Sequence, residues 1–133
     1  MAATKGRSIL TAVDDIFFSS RIDSVARKVG VNLVQALNAE QLGAELDSLV
    51  PDLIIFDLNS KAFAPLDTIR RLKSDARFAH TPIVGFLSHV QVALEQAARE
   101  AGCDHVLPRS VFSAKLPEIL LMADSSALPA VRE

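Results

Sequence analysis

Residues 53–60 read LIIFDLNS, an unbroken apolar run that ends at an aspartate. Such a run is typical of a strand buried on both faces of a sheet, and Pro51-Asp52 before it marks the turn into that strand. Because a carboxylate without partners is expensive to bury, Asp57 at the end of this strand needs an explanation. Either it begins a solvated loop, or it is held at the mouth of a sheet to meet a cation or a phosphoryl group.

The rest of the chain alternates between the apolar periodicities of strands and helices. Four further short apolar segments predict strands, at residues 8–13, 31–37, 82–87 and 105–107. Helical spacing predicts a helix after each strand. We therefore expect an α/β, flavodoxin-like fold, with a doubly wound five-stranded parallel sheet in the order 2-1-3-4-5 and helices on both faces.

Capping residues set the predicted ends of several helices. Gly30 and Gly102 follow apolar helical patterns where a C-cap belongs, and Asn38 precedes a helix with Gln41 at the capping-box position. Pro65 suits a first helical turn. The last helix is expected over residues 113–124, starting later if Pro117 is to stay within its first turn.

Length and composition limit the classes of protein. The 133 residues fit one domain, which we place at residues 8–124, with flexible termini at residues 1–7 and 125–133. A net charge of -2 gives no basic stripe for nucleic acid. The apolar runs are too short for a bilayer, the opening MAATKGRS lacks the apolar core of a signal peptide, and Cys103 is the only cysteine. These features favour a cytoplasmic protein without a membrane partner.

Acidic side chains follow two strands that are neighbours in the expected order. Asp14 and Asp15 come after the first strand and Asp57 after the third, where sheets of this kind bind ligands. Carboxylates at one edge repel each other and need a cation, and Mg²⁺ takes oxygen ligands together with water and phosphate oxygens. The backbone carbonyl of Asn59 is a further candidate ligand. Taken singly, each aspartate is better explained as a turn or cap residue, whereas three at the same edge favour a shared cation.

Beyond the fourth and fifth strands stand groups suited to a phosphoryl group. Ser88 and His89 follow the fourth strand, and Arg109 follows the fifth. A hydroxyl and a fixed guanidinium opposite a carboxylate supply a hydrogen-bond donor and a positive charge.

Several short motifs occur together in a fixed order: VDD at 13–15, PDLIIFDLN at 51–59, RRLKSD at 70–75, TPIV at 81–84, AREAG at 98–102 and a fifth-strand segment that reaches Arg109. In these motifs the chain resembles the receiver domain of bacterial two-component response regulators, over roughly residues 8–121. The resemblance includes the small chemotaxis regulators and their atypical, pseudo-receiver relatives.

The resemblance implies a signalling domain rather than an enzyme. Asp57 would accept a phosphoryl group from a histidine kinase or a phosphotransfer protein, and Mg²⁺ would be held by Asp14, Asp15, Asp57 and the carbonyl of Asn59. Arg109 occupies the position of the family's lysine. A downstream protein would bind the face formed by helix four, strand five and helix five, and the chain would be a monomer or a weak homodimer.

The chain departs from the family in the residues that report phosphorylation. Leu87 stands where the family has a threonine or serine, and the hydroxyl arrives one residue later at Ser88. Since a one-residue slip turns a side chain to the other face, Ser88 serves only where the strand ends or bulges. Val106 replaces the switching aromatic residue. Arg109 is a forked donor and no equivalent of lysine.

At this point two functions stay open and a third class is disfavoured. The chain is either a single-domain phosphorylated signalling protein or a pseudo-receiver that binds proteins without phosphorylation. A flavin protein or a phosphohydrolase is disfavoured, because the loop DDIFFSS at 14–20 puts two negative charges where a phosphate would bind and His89 is the only nearby acid–base candidate.

Overall fold

The computed structural model describes residues 7–122. The predicted termini, except Arg7, and the last two residues of the predicted last helix lie outside the described residues. Five parallel strands form one sheet in the order β2-β1-β3-β4-β5, which confirms the expected fold. The strands are β1 Ser8–Ala12, β2 Asn32–Ala36, β3 Leu53–Asp57, β4 Ile83–Leu87 and β5 His105–Pro108.

Six α-helices surround the sheet: α1 Ile16–Val29, α2 Ala39–Ser48, α3 Pro65–Ser74, α4 Val92–Ala101, α5 Arg109–Ala114 and α6 Leu116–Leu121. A short 3-10 turn at Lys61–Phe63 precedes α3. The prediction of a single last helix is wrong, since α5 and α6 are separate and meet at Lys115. Pro117 lies in the first turn of α6, as expected, because proline cannot donate a hydrogen bond within a continuous helix.

The predicted caps are confirmed. Gly30 and Gly102 end α1 and α4 in the left-handed region, at φ 81° and 115°. The Asn38 side chain accepts a hydrogen bond from the backbone N–H of Gln41 at 2.8 Å, and the Gln41 side chain accepts one from Leu37 N–H at 2.8 Å. These local bonds satisfy N–H groups that a helix start otherwise leaves unpaired.

The sheet carries a hydrophobic core on each face. Leu10, Ile54, Phe56 and Leu87 pack with α2, α3 and α4 on one face, and Ile9, Ile55, Phe86 and Leu107 pack with α1, α5 and α6 on the other. Every residue of β3 is buried. Burying one such large apolar side chain stabilises the fold by about 1.5–3 kcal/mol, so β3 is a rigid support for the residue at its end. None of the helices within residues 7–122 has the length and apolar character needed to cross a bilayer.

Candidate functional site

Asp57 ends the central strand of the sheet, and its side chain is almost fully enclosed. It is 6% exposed, and its Oδ1 accepts a hydrogen bond from Asn59 N–H at 2.9 Å. Burial raises the pKa of the Asp57 carboxyl, and the negative charges of Asp14 and Asp15 raise it further. The Asn59 N–H and the Arg109 guanidinium act in the opposite direction without cancelling the rise. Asp57 is therefore a carboxylate held in an environment that disfavours its charge.

The acidic pair lies where the sequence predicts it, because β1 pairs directly with β3. Asp15 caps α1: its Oδ1 accepts hydrogen bonds from Phe17 N–H at 3.0 Å and Phe18 N–H at 3.1 Å. The Phe18 N–H and the Arg109 guanidinium lower the pKa of Asp15, against a smaller rise from burial. Asp14 is exposed to solvent. The two acids thus differ, because the Asp15 carboxylate is hydrogen-bonded to the start of α1 and Asp14 is exposed to water.

Arg109 connects the acidic groups across the top of the sheet. Its Nη1 lies 3.3 Å from Asp15 Oδ2, and its Nη2 lies 4.0 Å from Asp57 Oδ2. The guanidinium stacks 4.5 Å from the ring centroid of Phe18 and 5.5 Å from that of Phe86. Its Nε is buried and has no hydrogen-bond partner within residues 7–122. Arg109 is therefore a positioned cation that only partly satisfies the carboxylate beside it.

Ser88 lies just past the end of β4, which stops at Leu87. Its hydroxyl is 3.2 Å from His89 Nδ1, and its backbone N–H donates to Asn59 Oδ1 at 2.8 Å. Leu87 is buried in the core on the face opposite Asp57, which is paired with Phe86. The serine hydroxyl is therefore turned toward the histidine, and the strand position that carries a hydroxyl in receiver domains is occupied by a core leucine.

An open cleft of about 540 Å³ adjoins this site. Ser88, His89 and Val90 line one side, and Arg109 and Phe18 line the other. The two phenylalanines that follow the acidic pair differ in burial. Phe18 packs in the core and forms the floor under Arg109, but Phe17 is 88% exposed.

Sequence reasoning missed two parts of the site. The side chains of Asn59 and Gln91 form a pair of amide hydrogen bonds, each 3.2 Å long, between the β3–α3 and β4–α4 loops. The Phe18 ring under Arg109 was also not foreseen as a partner of that residue. Both contacts join residues far apart in the chain, and the only available signal was that amide residues occur on two loops of the same edge.

The site's donors suit a hard cation such as Mg²⁺. Arg109 lies beside Asp15 and Asp57, and the negative charge of Asp14 also acts on Asp57, so one guanidinium offsets only part of the negative charge of three carboxylates. Within the described residues, no three His, Cys, Asp or Glu side chains converge closely enough to form a metal site by themselves. That arrangement matches the habit of Mg²⁺ of using one or two carboxylates and completing its shell with water and phosphate oxygens.

Comparisons by sequence, with family models and with curated proteins, find no match. Solved structures do match. The chemotaxis protein CheY4 of Vibrio cholerae superposes with a TM-score of 0.79 at 16% identity, over 93% of this chain and 100% of that one. The chain has the receiver-domain fold. A response regulator from Hahella chejuensis gives a TM-score of 0.78 at 19% identity, over 86% and 92% of the two chains.

A further similar structure is the receiver domain of a Pseudomonas aeruginosa sensor histidine kinase, with a magnesium ion coordinated in its active site cleft. It matches with a TM-score of 0.76 at 18% identity, over 87% of this chain and 95% of that one. At these identities the likeness establishes the receiver-domain fold, and the roles of individual residues rest on the geometry described above.

Proposed function

We propose that this chain is a receiver-type signalling domain in which Asp57 accepts a phosphoryl group from a histidine kinase or a phosphotransfer protein. One observation carries the proposal. The Asp57 carboxylate stands at the carboxyl edge of the sheet with Oδ1 held by Asn59 N–H and Oδ2 4.0 Å from the Arg109 guanidinium. A buried, oriented carboxylate beside a fixed cation is what an in-line phosphoryl transfer requires of the acceptor.

The transfer follows from these positions. An Asp57 oxygen attacks the phosphorus of a phosphohistidine, an O–P bond forms, and the P–N bond breaks, leaving the electron pair on the imidazole, which takes up a proton. Arg109 pairs with the added negative charge, and the Asn59 N–H keeps the acceptor oriented. Asp57 reacts as the ionised form, so its raised pKa makes the reaction sensitive to acid pH.

The chain's own oxygens would hold Mg²⁺ in this cleft. We assign Asp14, Asp15, Asp57 and the backbone carbonyl of Asn59 as its ligands, with Asp15 also retained as the cap of α1. When bound, Mg²⁺ supplies neutralisation of phosphoryl oxygens that one guanidinium leaves incomplete. Ser88 is assigned as the hydroxyl nearest the end of β4, and it would reach the phosphoryl group by turning away from His89.

The partner surface that we propose includes α4, β5 and the helices that follow β5. Exposed apolar side chains lie where α4 begins, with Val90 61% and Val92 72% exposed. Exposed apolar residues at one face favour association with another protein. On this reading the domain acts through a protein partner and is not itself an enzyme.

Phosphorylation with acetyl phosphate and Mg²⁺ tests the proposal. Intact-mass spectrometry is expected to show one phosphoryl group that is labile to acid and to base, as an acyl phosphate is, and that is absent from Asp57→Asn. Asp67→Asn is the matched control, since Asp67 is an exposed aspartate on α3 outside the cleft. An unmodified wild-type chain, or equal labelling of Asp57→Asn, would overturn the assignment of Asp57.

A phosphorylation-independent pseudo-receiver is the second candidate. It is favoured by the way Arg109 already bridges Asp15 and Asp57 while stacked on Phe18, and by the Ser88 hydroxyl facing His89. In that case a Mg²⁺ titration followed by NMR would leave the amides of Asp14 and Asp57 unchanged. Selective shifts at those amides would instead exclude it.

A further inference from the structure

The resemblance to receiver domains implies a relay through a strand-four hydroxyl and a strand-five aromatic residue, but Leu87 and Val106 stand at those two positions in this chain. Leu87 is 1% exposed and belongs to the core, and Val106 is 4% exposed. The Ser88 hydroxyl bonds to His89 Nδ1. A change at Asp57 must therefore reach the surface by other contacts.

Asn59 makes hydrogen bonds to both sides of the cleft. Its backbone N–H donates to Asp57 Oδ1 at 2.9 Å. Its side-chain oxygen accepts from Ser88 N–H at 2.8 Å and from Gln91 Nε2 at 3.2 Å, and its Nδ2 donates to Gln91 Oε1 at 3.2 Å. The same residue thus bonds to Asp57 through its backbone and to the β4–α4 loop through its side chain.

Gln91 is the residue from which α4 begins. Its carbonyl accepts the first helical hydrogen bond, from Glu95 N–H at 2.9 Å. Its side chain caps none of the α4 N–H groups. It forms hydrogen bonds instead with Asn59 and with the carbonyl of His89. A displacement of the Gln91 side chain therefore moves the residue that fixes where α4 starts.

The first half of α4 packs against the core through Leu94. The buried residues of the helix are Ala98 and Ala101, both near its end. Val92 and Ala93 in the first turn are exposed, and Leu94 is only partly buried. The buried alanines hold the C-terminal end of α4 against the core. At the N-terminal end of α4, the Asn59–Gln91 pair is the main polar contact.

We propose that Asn59 is a positioning residue that couples a change at the Asp57 side chain to the start of α4 through its amide pair with Gln91. The inference deepens the proposed function, because it names the route by which modification of Asp57 would alter the α4 surface. A group added to Asp57 withdraws or redirects the oxygen that holds Asn59 N–H. The amide pair then shifts, and with it the position of Gln91.

The test measures the coupling without any phosphodonor. Asp57→Asn removes the charge, and ¹⁵N–¹H spectra compare its effect in three backgrounds: the otherwise wild-type chain, Gln91→Ala and Gln96→Ala. In the first we expect shifts at Asn59, Ser88 and the first turn of α4. In Gln91→Ala the shifts at Asn59 persist and those in α4 are lost.

Gln96→Ala is the matched control, because Gln96 is the same residue type on the same helix and bonds to Glu100 at 3.4 Å. It should keep the α4 response. Gln91→Glu retains Oε1 and side-chain size but loses the donor to Asn59, and it should weaken the response without disturbing the fold. An α4 response that is equal in all backgrounds, or that is absent from the wild-type chain, overturns the proposal. Since no phosphoryl transfer is involved, a failure of Asp57 to accept phosphate does not alter this result.

Discussion

Two ion-pair clusters lie at opposite edges of the same sheet, and they are built differently. At the amino edge, Lys73 Nζ lies 3.0 Å from Asp104 Oδ2 and donates to the carbonyl of Thr81 at 2.8 Å. The same Asp104 oxygen accepts the N–H of Ile83, the first residue of β4, at 2.8 Å. This cluster joins α3, β4 and the residue before β5 through short bonds, so its geometry serves stability.

At the carboxyl edge the corresponding contacts are longer. Arg109 lies 3.3 Å from Asp15 and 4.0 Å from Asp57, and its Nε has no partner among residues 7–122. Burial raises the pKa of Asp57 despite the nearby guanidinium. The same residue types can therefore stabilise the fold at one edge and leave charges incompletely paired at the other. Incomplete pairing of this kind is typical of functional sites.

The largest effect should come from breaking the amino-edge cluster. Asp104→Ala removes the acceptor of two hydrogen bonds and is expected to lower the free energy of unfolding by about 2–3 kcal/mol. Urea unfolding followed by circular dichroism measures it. Asp67→Ala breaks the exposed Arg70–Asp67 pair and should change stability by no more than about 0.5 kcal/mol. Equal effects of the two variants would remove the contrast between the edges.

Gly102 tests the same cluster from the backbone. A Cβ at this position would lie 2.7 Å from Lys73 Cγ, and φ is 115°. We expect Gly102→Ala to lower the free energy of unfolding by about 1–2 kcal/mol, by strain and by displacing Lys73 from Asp104. Gly43→Ala in α2 meets no atom within 4 Å and should instead raise it by about 0.5–1 kcal/mol. Thermal or urea unfolding distinguishes the two signs.

The carboxyl edge holds an alanine where the amino edge holds a glycine. Ala64, in the loop after Asp57, has φ 43° and ψ 59°. Ala64→Gly should therefore raise the free energy of unfolding by up to about 1 kcal/mol, because relief of the left-handed strain exceeds the added chain entropy. Ala44→Gly in exposed α2 should lower it by about 1 kcal/mol. A loss of stability in Ala64→Gly would show that the loop is unstrained.

The smallest expected effect is on the pH dependence of stability. Because the pKa of Asp57 is higher in the folded chain than in the unfolded chain, protonation of Asp57 favours folding. Its contribution to the free energy of unfolding is complete at pH values below the ordinary aspartate pKa and is lost as the pH rises through the raised pKa. Asp57→Asn should therefore gain stability relative to the wild-type chain as the pH rises through the raised value.

Asp15 provides the opposite sign. Its lowered pKa gives stability that is present above the ordinary range and is lost as the pH falls through the lowered value. Asp15→Asn keeps a capping side chain, and it should lose stability relative to the wild-type chain as the pH rises. Urea midpoints from acid to neutral pH measure both variants. Parallel curves for the two would contradict the opposite environments of these carboxyls.

Much of the fold could be predicted because its signals are local. The alternation of apolar periods predicted the strands and helices, and the rules for parallel connections then favoured the strand order. Gly30, Asn38 and Gly102 predicted helix ends that depend on bonds within a few residues. The short helix α5 was not foreseen, since six residues carry too little periodicity to be recognised.

The sequence by itself determined that β3 is buried and that Asp14, Asp15, Asp57 and Arg109 gather at one edge, because strand burial and connectivity fix which edge each loop occupies. Only the tertiary structure decided how these groups are used. In the folded chain Asp15 caps α1, Arg109 stacks on Phe18, Ser88 faces His89 and Asn59 bonds to Gln91. The physical reason is that side chains alternate between the two faces of the sheet only within a strand. Past the end of a strand, the direction of a side chain depends on contacts between loops that are distant in the sequence.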